Sequence, residues 1–178
     1  MCEISQDSRI EAVLAAIHER RSIRRFTAEP VSRDAVEAIL DAGRWAPSGL
    51  NNQPWRFAVV WAGDPRQEGL AGCTKYAAMV REARVLIAVL LHRPTMYDTM
   101  KDHQSAGACI QNMLLAAHAL GLGAVWLGQM TNQADKALEV LGLDLAEYAF
   151  MTVIAVGHPA GPGTSQRKSL AELVLGEF

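Results

Sequence analysis

The chain has 178 residues and a formal net charge of −2, and half of its residues are apolar. This length and composition predict a single globular domain over residues 1–178. The slightly acidic balance argues against general nucleic-acid binding, which usually requires a basic domain. The longest apolar run, residues 85–91, is too short to cross a bilayer. We therefore expect neither a nucleic-acid partner nor a membrane partner.

The cysteines give no sign of a metal site or a disulfide framework. Cys2, Cys73 and Cys109 are widely spaced, and no CxxC motif or zinc-type Cys/His spacing occurs. This pattern is typical of free thiols in a reducing compartment. The first seven residues also lack the basic and apolar parts of a signal peptide. We expect a cytoplasmic protein without a bound metal, in which Cys73 and Cys109 are core residues.

Hydrophobic periodicity and turn residues predict helices that alternate with strands. In chain order we predict helices at 9–20 and 33–45, a strand at 56–61, a helix at 67–82, a strand at 84–92, a helix at 103–120, a strand at 124–127, a helix at 132–141 and a strand at 148–156. Such an order predicts a central sheet with helices on both faces. The last segment, about 158–178, keeps apolar residues and two cations, and a neighbouring subunit is one candidate for its docking site.

Two segments between these elements have a special backbone composition. Residues 46–55 (APSGLNNQPW) contain two prolines, a glycine and two asparagines, which predicts a shaped loop. Residues 121–128 (GLGAVWLG) end in Gly128, where main-chain amides can approach a flat ring closely. The alternative for this second segment is a helix C-cap followed by an ordinary strand end.

Two cationic clusters lie near opposite ends of the chain. Residues 20–26 (RRSIRRF) contain four arginines and a serine, and Arg167-Lys168 form the second cluster. Arg has five donors in a fixed fork and stays charged, so it suits phosphate. Brought together, the clusters would hold one phosphate from two sides. The alternative is a solvated basic turn without a specific ligand.

Side-chain chemistry in the sequence is sparse. No Walker A motif and no GxGxxG motif occur, which disfavours a P-loop nucleotidase and a Rossmann dinucleotide site. The five histidines are scattered, and no Gly-x-Ser-x-Gly elbow is present. Asp102-His103 is interpreted as the start of the long helix. Anion clamps without an obvious acid, base or nucleophile are typical of an enzyme whose cofactor performs the chemistry.

Four elements of the sequence resemble the nitroreductase family of flavin enzymes. Residues 20–26 and 46–55 are similar to its R-R-S-x-R-x-F and P-S-x-x-N-x-Q-P-W elements, in order and in spacing. The helix at 111–117 leading into residues 121–128 resembles a third element. Arg167-Lys168, following residues 157–159 (GHP), resembles a fourth. Together the four elements extend over residues 20–168, nearly the whole chain.

The resemblance implies an α+β (mixed α/β) fold with a central, mostly antiparallel sheet of four to five strands. It also implies a homodimer with two FMN molecules at the subunit interface and exchanged C-terminal arms. In the family reaction NAD(P)H reduces FMN by hydride transfer and leaves, and a nitroarene, quinone or similar small acceptor then occupies the same face. This is a ping-pong cycle.

Site residues follow from the resemblance by position. It implies that Arg20, Arg21 and Ser22 bind the phosphate, that Arg167 and Lys168 close the site, and that Arg24 lies near the flavin N1–O2 edge. Pro47, Ser48, Gly49 and Asn51 resemble contacts made by the partner subunit, and the Leu127-Gly128 backbone resembles the donor to flavin N5. The segment before the long helix is short, which implies a small substrate lid. We place the rim of the substrate pocket at Met96, Tyr97 and Met100.

Other functions remain compatible with the sequence. The protein could be a specialised member of the flavin class, either flavin-destroying or reductively dehalogenating. It could also be a flavin- or nucleotide-binding sensor without turnover. Nucleic-acid binding through the arginine run is a further alternative, and it predicts an affinity that falls steeply with salt.

Overall fold

A computed structural model describes residues 5–176, so Cys2 lies outside the described residues. Six α-helices and four strands occur in this range, joined by short 3-10 turns. The helices are α1 Gln6–Glu19, α2 Arg33–Arg44, α3 Pro65–Ala71, α4 Ala77–Glu82, α5 Thr99–Ala119 and α6 Ala134–Leu141. The strands are β1 Trp55–Trp61, β2 Val85–His92, β3 Gly123–Trp126 and β4 Tyr148–Gly157.

The four strands form one antiparallel sheet in the order β1-β2-β4-β3. Trp55 pairs with Leu91 between β1 and β2, and Val85 pairs with Val156 between β2 and β4. Gly123 pairs with Gly157, so the short strand β3 lies at an edge beside the end of β4. The α+β fold with a mostly antiparallel sheet is therefore confirmed, and the sheet has four strands.

Helices cover both faces of the sheet, as predicted. One core places α2 and α5 against Val85, Ile87 and Val89, and the other places α3, α4 and α6 against the intervening residues of β2. Because side chains alternate across a strand, the unbroken apolar run of β2 supplies both cores. In the range 5–176, no helix has the length and apolar character needed to cross a membrane.

Helix boundaries differ from the predicted ones in several places, and α1 starts at Gln6, three residues earlier than predicted. The predicted helix 67–82 is two helices, because the amides of Cys73 and Thr74 bond the carbonyls three residues earlier, Leu70 and Ala71, and α3 ends at Ala71. Helix α5 starts at Thr99, four residues earlier than predicted, because Asp98 caps it by accepting from the Lys101 amide at 2.9 Å. The last helix starts at Ala134, after the 3-10 turn Gly128–Gln133.

The predicted apolar face of α1 is exposed within the single chain. Its residues Ile10, Val13, Leu14 and Ile17 are 47–60% exposed, and α1 contains no buried residue. Trp45, at the end of α2, is 73% exposed. In the last segment Leu170, Leu173 and Leu175 are exposed as well. Exposed apolar side chains on α1 and at the end of α2 are a feature of interaction surfaces when they form a contiguous patch.

Candidate functional site

The arginine run is held in an extended conformation at the edge of the sheet. Ser22 bridges Ala124 of β3 in parallel, and the Ile23 amide donates to the Ala124 carbonyl at 3.1 Å. Four residues later, Thr27 donates to the carbonyl of His158 at 2.9 Å. The run is therefore fixed between the edge strand and the beginning of the last segment.

Two glycines give the run its close approach to the sheet. Ile23 packs on Gly123, where an added Cβ would lie 2.7 Å from Ile23 Cγ2. Phe26 packs on Gly157, where an added Cβ would lie 2.9 Å from the ring. Any larger residue at either position would push the run away from the strand ends. The arginine positions thus depend on both glycines.

Arg20 and Arg167 lie near each other, as the two-cluster hypothesis requires. The pKa of Arg20 is lowered by burial and by the positive charges of Arg167 and Arg21. Arg20 Nε is buried and has no hydrogen-bond partner among the described residues. A buried cationic donor without a partner is costly, and an anion bound here would relieve both the missing bond and the charge repulsion.

The other cations of the two clusters have separate environments. Arg21 Nη1 donates to the carbonyls of His18 at 2.6 Å and of Arg20 at 3.0 Å, at the end of α1. Arg24 is exposed and lies beside the Ser22 carbonyl. Arg25 is paired with Glu82 at 3.1 Å, which accounts for the one arginine of the run without a predicted role. Arg167 and Lys168 are exposed in the last segment.

Two adjoining cavities meet at Arg24. The first has a volume of about 240 Å³ and is lined by residues 22–25 and 160–164. The second has a volume of about 220 Å³ and is lined by Arg24, Tyr76, Met79 and residues 125–129. The arginine run and the end of β3 therefore border one continuous region of the surface, as the sequence elements require.

Leu127 and Gly128 differ in what their backbones can offer a ligand. The Leu127 amide donates to the Val153 carbonyl at 2.9 Å, and its side chain is buried. Gly128 is exposed and is the first residue of a 3-10 turn. Amides at the start of a helical turn have no partner within the turn. Gly128 is therefore the better placed donor of the two.

The second cavity includes polar residues that sequence reasoning did not assign. Gln129 Oε1 accepts from the Thr74 hydroxyl at 2.6 Å and from the Lys75 amide at 3.3 Å. These bonds fix the turn between α3 and α4 beside the cavity, so that Tyr76 lines it. The bonded residues are about 55 positions apart in the chain, and no local pattern connects them.

The loop at 46–55 has an unusual backbone. Leu50, Asn51 and Gln53 have φ values of 54°, 54° and 45°, in the left-handed region. Such a conformation costs a non-glycine residue about 1–2 kcal/mol. The Ser48 hydroxyl supports the loop by accepting from the Gln53 amide at 3.0 Å. Residues 47–51 line neither of the two cavities within a single chain.

The three residues placed at the substrate rim differ in exposure. Met96 packs against the small core formed by Leu91, Ala106 and Ala149. Tyr97 and Met100 are exposed. Asp102, interpreted from the sequence only as the start of a helix, is fully buried and accepts hydrogen bonds from Asn52, Tyr97 and Asp98.

The buried cysteines behave as core residues. Burial raises the pKa of the Cys109 thiol to about 12. The pKa of Cys73 is also raised by burial, and its thiol donates to the Gly69 carbonyl at 3.4 Å. Both are therefore protonated at neutral pH, whereas a nucleophilic cysteine must be a thiolate. This agrees with the interpretation of both as packing residues.

The structure is an α+β protein with a run of arginines held at one edge of its antiparallel sheet. A sequence model of the nitroreductase family matches residues 17–70 and 61–158. The chain belongs to the nitroreductase family.

Three known proteins show the extent of this similarity. A nitroreductase-family protein of Desulfovibrio desulfuricans, solved in complex with FMN, is 60% identical, with a TM-score of 0.92 over 93% of this chain and 96% of its own. The NADPH:FMN oxidoreductase of Vibrio harveyi, solved with NAD+, is 26% identical, with a TM-score of 0.82 over 94% of this chain and 77% of its own. A Methanothermobacter thermautotrophicus protein named as an NADH dehydrogenase/NAD(P)H nitroreductase is 36% identical over 85% of this chain and 80% of its own.

Proposed function

We propose that the protein uses NAD(P)H to reduce a small acceptor, such as a nitroarene or a quinone, in a ping-pong cycle with FMN. The protein is an NAD(P)H-dependent FMN oxidoreductase, as its relatives are. The observation that carries the proposal is the proximity of Arg20 and Arg167, whose charge lowers the Arg20 pKa, together with an Arg20 Nε that has no hydrogen-bond partner among the described residues. FMN has one phosphate and therefore matches a single anion site. When bound, it supplies the two-electron chemistry between NAD(P)H and the acceptor.

The phosphate end of the site consists of Arg20, Arg21, Ser22, Arg167 and Lys168. Arg20 supplies the buried donor, and the exposed Arg167 approaches it from the last segment. Charge-assisted hydrogen bonds from two directions both neutralise a phosphate and orient it. Because Arg21 Nη1 already bonds the end of α1, only its other donors are available for the phosphate.

At the ring end, Arg24 and the backbone of Leu127 and Gly128 take the family's roles. Arg24 borders both cavities, which suits a cation that stabilises negative charge at the N1–O2 edge of the ring. The exposed Gly128 amide is the donor toward N5, since the Leu127 amide is bonded to Val153. With these groups fixed by the fold, little reorganisation is required when charge develops on the ring.

A second copy of the chain completes the site. The loop residues Pro47, Ser48, Gly49 and Asn51 do not line the cavities of their own chain, which supports their contribution to the site of a partner. The exposed faces of α1 and Trp45 supply apolar surface for a homodimer. The exposed leucines of the last segment, residues 158–178, support an arm that packs on the partner subunit.

Absorption spectroscopy of the purified protein tests the proposal. We expect a flavin spectrum that bleaches under anaerobic NADH or NADPH and recovers when a nitroarene or quinone is added. A colourless protein that takes up no FMN would overturn the proposal. Reduction without reoxidation by any acceptor would instead indicate a specialised enzyme, and FMN binding without reduction would indicate a sensor.

The phosphate clamp has its own test, the double variant Arg20→Ala/Arg167→Ala. Removing both sides should weaken FMN binding by about 2–5 kcal/mol, because the phosphate loses charged partners in a partly buried site. Fluorescence titration of the apoprotein with FMN measures this loss. The matched control, Arg44→Ala/Arg81→Ala, removes the same charge from exposed surface ion pairs and should bind FMN normally. Normal binding by the Arg20/Arg167 variant would contradict the clamp.

A further inference from the structure

Asp102 is a fully buried carboxylate whose two oxygens both accept hydrogen bonds. Oδ1 accepts from Asn52 Nδ2 at 2.8 Å, and Oδ2 accepts from the amides of Tyr97 at 2.9 Å and Asp98 at 3.0 Å. Burial alone would raise the pKa of Asp102, but the bonds from Asn52 and the two amides outweigh it and lower the pKa. The group is therefore an anion at neutral pH.

These bonds join three separate parts of the chain. Asn52 belongs to the strained loop at 46–55, Tyr97 to the short segment before α5, and Asp102 to the first turns of α5 itself. Asn52 Nδ2 also donates to the Thr95 carbonyl at 3.0 Å, which adds a second bond between the loop and that segment. Asn52 thus connects the loop at 46–55 both to Thr95, within the segment before α5, and to Asp102, in the first turns of α5.

Helix capping does not account for this arrangement. Asp98 already caps α5, and the bond that the Asp98 amide donates to Asp102 Oδ2 adds to that cap. The bonds to Asn52 and to Tyr97 lead away from the helix. Two of the three bonds that Asp102 accepts come from the loop at 46–55 and from the segment before α5. The buried carboxylate therefore fixes the position of these two segments relative to each other.

Tyr97 is the residue whose position these bonds decide. Its ring lies directly on the backbone of Gly49, where an added Cβ would overlap the hydroxyl and come within 2.5 Å of ring carbons. Tyr97 is 43% exposed, and Lys101 Nζ lies over its ring at 5.2 Å from the centroid, so the part of the ring that neither Gly49 nor Lys101 covers is open to a ligand. Because Gly49 belongs to the loop that we assign to the flavin site of a partner subunit, a ring packed on that loop would lie beside the place where an acceptor binds to that site.

We propose that Asp102 is a positioning residue, which holds the Tyr97 ring against the loop at 46–55 through its bonds to Asn52 and to the Tyr97 amide. The position of the ring in turn sets which acceptors the enzyme prefers. The inference rests on the proposed function. Asp102 acts only through the position of Tyr97, and it touches neither cofactor nor acceptor. Small displacements of a positioning group are costly, because a shift of about 1 Å can lower a rate about 100-fold.

The test compares wild-type holoenzyme with Asp102→Asn. An asparagine has one acceptor oxygen and cannot serve Asn52 and both amides, so at least one bond is lost. We expect the ratio of kcat/KM for a bulky quinone to that for a small nitroarene to shift by about 10-fold, mainly in KM. Amide hydrogen exchange at Tyr97 and Asp98 should become faster in the same variant, which is a readout independent of turnover.

A double-mutant cycle separates positioning from general stability. If Asp102 acts through the ring, Asp102→Asn should leave the acceptor ratio unchanged in a Tyr97→Ala background. The control Asp98→Ser changes the same helical turn but keeps a capping hydroxyl, and its acceptor ratio should equal that of the wild type. Should Asp102→Asn fail to fold, Asn52→Ala removes the loop's bonds to Asp102 and to the Thr95 carbonyl while both amide bonds to Asp102 remain, and it should shift the ratio in the same direction.

An unchanged acceptor ratio together with unchanged exchange at Tyr97 would overturn the proposal. An Asp102→Asn effect that persists in the Tyr97→Ala background would overturn it as well, because the effect would then not pass through the ring. Failure of the proposed function is a separate result, since the wild-type protein would bind no FMN. Hydrogen exchange at residues 95–98 would still report whether Asp102 holds the segment.

Discussion

Gly123 is one of the glycines on which the position of the arginine run depends. A Cβ at this position would lie 2.7 Å from Ile23 Cγ2 and 2.8 Å from Ile23 Cβ. Ile23 is β-branched and stiff, so its backbone would have to move, and Ser22 and Arg24 would move with it. Gly123→Ala should therefore lower the free energy of unfolding by about 1–3 kcal/mol and weaken FMN binding.

Urea denaturation and FMN titration measure the two effects of Gly123→Ala. The control is Gly107→Ala, in the middle of α5, where an added Cβ would meet its nearest heavy atom only at 3.9 Å. That change should leave FMN binding intact and can stabilise the helix by about 0.5–1 kcal/mol. Normal FMN affinity in Gly123→Ala would show that the run does not need this close approach.

Individual residues differ in how far the sequence identifies their roles. The proximity of Arg20 and Arg167 follows from two matching motifs, although about 150 residues separate them in the chain. Asp102 could not be identified in this way, because its donors come from Asn52 and from a short polar segment with no recognisable pattern. A buried carboxylate is specified by partners distant in sequence, and a single sequence does not reveal those partners.

Helix α3 begins with an ion-paired cap that makes a prediction about pH. The Asp64 carboxylate accepts from the Arg66 guanidinium, at 2.6 Å for the shortest contact, and from the Arg66 amide at 2.9 Å. The side-chain bonds, and after them the backbone bond, lower the pKa of Asp64 to about 2. Its folded pKa lies below the unfolded value of about 3.9. The stabilisation is therefore complete above about pH 4 and is lost as the pH falls toward 2.

The variant Arg66→Gln tests this linkage. It removes the guanidinium but keeps the backbone amide, so the Asp64 pKa should rise toward its ordinary value while α3 remains capped. Carboxyl carbon NMR across an acid titration measures the midpoint directly. Arg44→Gln breaks an exposed ion pair elsewhere and should leave the Asp64 midpoint unchanged. An Asp64 midpoint near 4 in the wild type would refute the assigned role of Arg66.

Among the elements, strands were predicted more accurately than helix boundaries. The apolar run of β2 and the strand β4 agree with their predicted ranges to within one residue, because a strand buried in a sheet needs an unbroken apolar pattern. The break between α3 and α4 was missed, since Gly72 and Thr74 end one helix through backbone bonds and through the distant Gln129. Tertiary partners decided that boundary, and helix propensity did not.

At the scale of the whole molecule, the apolar patch on α1 and the end of α2 is exposed, and no residue of the range 5–176 covers it. Val13, Ala16, Trp45 and Leu115 border a shallow depression of about 480 Å³ on this face. Trp45 also lies directly before the loop at 46–55, whose residues do not reach the arginine cavities of their own chain. A partner that covers the patch would therefore also bring its own loop toward the cofactor site. Dimerisation and FMN binding should consequently be linked.

Val13→Glu tests this linkage. If a second chain covers the patch, the new carboxylate would be buried at the interface without a partner, at a cost of about 3–5 kcal/mol. We expect light scattering to show a dimer for the wild type and a monomer for Val13→Glu, with FMN occupancy falling in parallel. The control Leu145→Glu replaces a residue that is 42% exposed between α6 and β4, and it should remain dimeric and yellow. A monomeric Val13→Glu protein that kept its full complement of FMN would show that one chain suffices for the site.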